Sequence, residues 1–199
     1  MTLDEFHAQL KREGKWEEFV ARKAERQAAF ERRAAELAVA EAPLIAELRS
    51  VGCDVQSVYD LVNRSGGGYG EAIPTLLKHL QRQYPDVIRA GIARALGVPE
   101  ARTAWDLLVR QFRVELGPET RHGLGVALAN IASDEHFDEI LDLLRDARLG
   151  DARIFLLEPL STLLPPQGFE AVKSFEHDHV LGKETRRLLR KWRSRRPLQ

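Results

Sequence analysis

The chain has 199 residues, 44% of them apolar, with 30 basic residues matched by 30 acidic ones and a single cysteine. That length and apolar content allow a sizeable core without disulfides, and the balanced charge supplies no global field toward nucleic acid or anionic lipid. No apolar run reaches the length of a membrane span or of a secretory leader core, so a reducing, cytoplasmic setting and no membrane partner are the default expectation.

Residues 1–40 are dense in Ala, Glu, Arg and Lys, good helix formers, with sparse apolar positions such as Leu3, Phe6, Trp16, Phe19, Val20, Phe30 and Leu37. They read as an N-terminal helical extension in which Gly14 divides a short helix from a long one. The narrow stripe either packs on the rest of the chain or pairs with another one, and the lack of a sustained heptad favours packing. Residues 41–64 read as a degenerate first repeat, with Leu44, Ile45 and Leu48 on one helix and Val55, Val58, Tyr59 and Val62 on a second. Ser65–Gly70 follows, Gly-rich but without the Gly-Lys-Ser/Thr ending of a phosphate loop, and is expected to be a flexible connector.

From residue 70 onward the chain repeats itself every 32 residues. Ile73, Trp105, Phe137 and Phe169 keep that step, as do Leu76, Leu108, Ile140 and Val172, while Leu80, Phe112 and Leu144 keep it before ending at Glu176. About half a period later run Ile92, Leu124, Leu156, Leu188 and Leu96, Leu128, Leu160, Trp192. A period of this size is the mark of stacked units, each too small to bury its own apolar face. Within a unit the spacing is helical, so 70–101, 102–133, 134–165 and 166–197 each read as two amphipathic helices joined at a Gly or Pro turn. Gly at those turns is expected to end the first helix in a left-handed cap. Pro159 falls where Ala95 and Ala127 stand, and predicts a kink or a helix that starts late.

The second helices open with an acidic residue, an Arg and a run of small and apolar residues, as in Asp86-Val-Ile-Arg-Ala-Gly-Ile-Ala-Arg-Ala-Leu96, and Arg89, Arg121 and Arg153 keep the repeat step while Arg186 arrives one residue late. In this the chain resembles the HEAT-repeat family over about residues 70 to 193. The resemblance implies an all-α fold: a right-handed α-α superhelix, an armadillo-like solenoid over 41–199, with second helices lining a concave surface. It also implies a structural role for the repeated Arg, bridging an acidic turn residue or the last carbonyls of a neighbouring helix. Because such motifs are packing chemistry, they specify architecture rather than activity.

If second helices line the concave face, their non-core phases show what it offers. Arg94, Val126, Glu158 and Arg190 form one row and His122 belongs to another; with Asn130 and Phe155 these make the candidate partner-binding set. Gly91, Gly123 and Gly125 are costly inside helices, so either a neighbouring helix or a ligand approaches closely there, and a ligand would lie in a groove floored by glycines. The main reading is a non-enzymatic bacterial scaffold or adaptor that binds a protein or peptide, with no cofactor. Two alternatives stand beside it: a HEAT-like alkylpurine DNA glycosylase, which would need exposed Trp where Trp105 and Trp192 fall in core rows, and an immunity or toxin-neutralising protein. His136 beside Asp134 and Glu135, and His177-Asp178-His179, are metal-ligand residue types without the i, i+4 His pair of a helical site, and Cys53 has no suggested base, so neither a metal nor a catalytic residue is expected. Ser133–Asp151 is acidic and Lys183–Gln199 basic, the latter reading as a solvated terminus.

Overall fold

A computed structural model describes residues 1–64 and 68–195, so part of the Ser65–Gly70 connector and the last four residues of the basic tail lie outside the described residues. Among the described residues every regular element is helical, and no helix is long and apolar enough to cross a membrane. The chain divides into two units, Met1–Ala42 and Pro43–Gln199.

In the first unit, helix α1 (Leu3–Arg12) opens on a capping box in which Thr2 Oγ1 accepts from the Glu5 amide and Glu5 accepts from the Thr2 amide. Gly14, at φ 69°, turns the chain into α2 (Trp16–Ser50), which extends well past residue 40 with Pro43 inside it. Phe6 meets Phe19 edge-on at 5.8 Å, and His7 meets Trp16 at 4.9 Å, so a small aromatic cluster joins α1 to the start of α2. Further along the stripe Phe30 is 70% exposed, while Leu37 is half-buried.

In the second unit, Leu44, Ile45 and Leu48 on the end of α2 are buried, as are Val55 and Val58. The second helix expected there is a single turn, α3 (Tyr59–Val62), because Asp60 Oδ2 accepts from the Gln56 and Ser57 amides and holds the preceding residues in a turn instead of a helix. The helices α4 (Ile73–Leu80), α6 (Trp105–Val114), α8 (Phe137–Arg145) and α10 (Pro165–Lys173) are the first helices of successive units. Their partners are α5 (Asp86–Ala95), α7 (Pro118–Ile131), the 3₁₀ segment Ala147–Leu156 running into α9 (Leu157–Thr162), and α11 (Gly182–Arg195). Every apolar row position is buried except Phe169 and Trp192, whose rings stack on each other at 4.2 Å.

Two devices join the helices. Each repeated guanidinium takes carbonyls that end a preceding helix: Arg89 bonds Leu80 O at 3.3 Å, Arg121 bonds Glu115 O, Arg153 bonds Leu144 O at 2.7 Å, and Arg186 bonds Glu176 O at 2.7 Å. Arg89 also pairs with Glu115 at 2.6 Å and Arg153 with Asp178 at 3.3 Å. The second device is a cap across units. Asp86 accepts from the Glu119 and Thr120 amides, both at 3.0 Å, and so supplies the start of α7 with the acceptor its own N-cap, Gly117, lacks.

One sequence expectation changes here, and the late helix start at Pro159 is met. Gly117 is not in the left-handed region; a side chain there would collide with the Asp86 carboxylate, so glycine serves the cap, while Gly150, at φ 64°, is the one turn glycine of the repeats in that region. Pro159 sits in the first turn of α9, where its missing amide breaks no helical bond, because the residues before it are 3₁₀ and the α-helix starts only at Leu157.

Candidate functional site

Second helices meet in series within this unit: α5 touches α7, α7 touches the 147–156 segment and α9, and α9 touches α11. Gly123 makes the first approach possible, since a Cβ there would lie 2.7 Å from Ala90 O. A Cβ at Gly91 would lie 2.5 Å from Val58, and one at Gly125 3.0 Å from Ala152 O. These glycines are therefore filled by neighbours and do not floor a groove.

The candidate residues nevertheless gather along one line of hollows. The first, about 430 Å³, includes Arg94, Val126 and Asn130, together with Arg64, Val98 and Pro99. The second, about 320 Å³, shares Asn130 and adds Phe155, Glu158, Pro159 and Leu163. A third, small one shares Glu158 and Thr162 and is closed by Lys191 and Trp192. Shared rim residues make these one groove crossing α5, α7, α9 and α11.

Its polar groups are mostly committed. Arg94 donates to Tyr59 Oη at 3.3 Å and lies 3.8 Å from Glu119, Asn130 Nδ2 donates to Gly97 O at 3.3 Å, and Glu158 pairs with Lys191 at 3.0 Å. His122 lies 2.9 Å from Asp151, whose carboxyl that contact holds below the usual range, and its ring meets Phe155 edge-on at 5.6 Å. His122 borders Phe155 but lines none of these three hollows, and Arg190, exposed on α11, lies outside them as well. Phe155 stays 36% exposed, an apolar surface facing solvent. Beside the second hollow, Leu164 adopts φ 44°, ψ 67° ahead of Pro165, a left-handed conformation that costs a non-glycine residue roughly 1–2 kcal/mol.

Sequence reasoning missed Arg64, Val98, Pro99 and Leu163, because they sit in connections, outside the helical phases that carry the repeat. It also missed two polar clusters. Buried His79 lies 3.2 Å from Glu47 and 2.7 Å from Tyr84 Oη, and Lys78 and Arg82 reach the same carboxylate. Burial lowers the His79 pKa despite that carboxylate. The Ser133 amide donates to His136 Nδ1 at 3.1 Å in a capping box, and the His136 ring stacks on buried Trp105 at 3.8 Å. Cys53 is buried, and among the described residues no three His, Cys, Asp or Glu side chains form a group that could hold a metal. Comparison with known proteins finds no match for the chain: no family model, no curated protein and no solved structure.

Proposed function

We propose that residues 41–199 form a HEAT-like solenoid and that the protein is a scaffold or adaptor, recognising a protein or peptide partner in the groove by shape and binding it without chemistry. The continuous groove that collects Arg94, Val126, Asn130, Phe155 and Glu158 from three successive units carries this reading. Two further observations support it. Second helices approach one another closely while the pairs of first helices make at most slight approaches of that kind, as on the inner and outer sides of a curved array. The half-open Phe155 offers an apolar anchor of the sort that dominates interface affinity.

The test is affinity capture from nuclease-treated lysate of the native host, comparing the wild-type chain with the Arg94→Glu, Val126→Glu double variant. A protein recovered by the wild type and lost by the double variant supports groove recognition. Equal recovery by both rejects it.

A further inference from the structure

We infer that the first hollow of the groove reads a carboxylate: it takes an Asp or Glu side chain flanked by apolar residues in an extended segment of the partner protein. This rests on the proposed binding role of the groove and names what the groove selects.

The lining of that hollow contains two guanidiniums, Arg64 and Arg94, and no carboxylate. Arg64 is exposed and, among the described residues, makes no side-chain hydrogen bond or close ion pair, its charge reaching the Asp60 carboxylate only at longer range, while Arg94 keeps free N–H groups beyond its bond to Tyr59 and its loose approach to Glu119. Asn130 adds an amide on the rim. Apolar side chains, Val98, Pro99 and Val126 among them, make up much of the remaining wall, so a bound carboxylate would pair with Arg in a partly dry setting where the pairing is strong. The next hollow shows more polar than apolar surface: Phe155, Pro159 and Leu163 line it together with Asn130, Thr162 and its one carboxylate, Glu158, which is tied to Lys191 at 3.0 Å. The first hollow thus asks for an anion held among apolar side chains, which an acidic-apolar peptide segment supplies. Nucleic acid fits less well, since Tyr69, the one aromatic ring in the first hollow, is 4% exposed and bonded to Ala95 O, leaving no open ring for a base to stack on.

The experiment pans a display library of random dodecapeptides on the full chain and on the Arg64→Gln, Arg94→Gln variant, each checked by circular dichroism. The wild type is expected to enrich peptides with Asp or Glu beside Leu, Ile, Val or Phe, and the variant to lose the acidic preference while keeping the apolar one. A selected peptide and its Glu→Gln counterpart should differ about tenfold in Kd on the wild type and hardly at all on the variant. Arg64→Gln alone, at an exposed site that leaves the fold intact, should already narrow that difference. Apolar peptides enriched without acidic residues, or an acidic preference that survives in the variant, overturn the carboxylate subsite and leave groove binding standing. No enrichment above the blank overturns both. Tighter binding of a fluorescein-labelled single-stranded RNA than of any peptide, lost in the variant, overturns the peptide assignment.

Discussion

The carboxylate of Asp86 and the hydroxyl of Thr120, 34 residues apart in sequence, are 2.6 Å apart, with the Thr120 amide on the same oxygen at 3.0 Å. One residue near the start of α5 thereby caps the start of α7. Burial pushes the Asp86 carboxyl up, but the bonds from Thr120 and from the Glu119 and Thr120 amides outweigh it, and its pKa falls below the usual 3.8. Replacing Asp86 by Ala should cost about 1–2 kcal/mol, the worth of a helix cap. Thermal denaturation should then show a midpoint lower by roughly 2–8 °C. Since the folded pKa is depressed, this contribution is full above the unfolded value and is lost as pH falls through the folded one, so wild type and Asp86→Ala should begin to converge only below about pH 4.

Arg153 is 3% exposed and holds Leu144 O, Gly150 O and Asp178 together. Arg153→Ala removes the buried donor that these groups share, Asp178 keeping the Val180 and Leu181 amides, and should cost about 1–3 kcal/mol in urea denaturation. Arg113→Ala removes only a half-exposed pair with Glu139 at 3.6 Å, and should change the unfolding free energy by under about 1 kcal/mol.

Gly123→Ala places a methyl 2.7 Å from Ala90 O and 3.1 Å from Ala93 Cβ, where neither backbone nor helix can yield cheaply. Although Ala is the better helix former, overpacking should dominate and destabilise the chain by about 1–3 kcal/mol. Added stability in that variant would show that α5 and α7 are not in such close contact.

His79 gives the fold a pH dependence near neutrality. Burial lowers its folded pKa, against the opposing pull of Glu47, so the unfolded chain takes up a proton first as pH falls through about 6.5. His136, also lowered by burial, acts in the same direction. The denaturation midpoint should therefore decline from pH 7 to pH 5, and His79→Gln should start lower but decline less steeply.

Much of this fold is legible in the sequence wherever burial alone sets the pattern. The rows through Leu76, Leu108 and Ile140 are fully buried, and the Arg ties fall at the repeat phase expected of them. What was not legible depends on pairs distant in the chain. Asp86 and Thr120, or Glu47 and His79, carry no local periodicity that links them, and only the stacked helices bring them together. The short α3 and the 3₁₀ run before α9 reflect local hydrogen bonding and Gly150, which override the helical period. Of the candidate site, the helix-borne residues were visible as a phase, whereas Arg64, Pro99 and Leu163 were not, since connections have no phase to read.

The most direct test of groove recognition measures partner affinity and thermal midpoint together for Val126→Glu and Phe155→Ala. Both side chains are partly exposed in the groove, so each variant should keep its midpoint within roughly 4 °C of wild type. Affinity for the captured partner should fall about tenfold or more. Unchanged affinity in both, or affinity lost only together with the fold, would contradict the account.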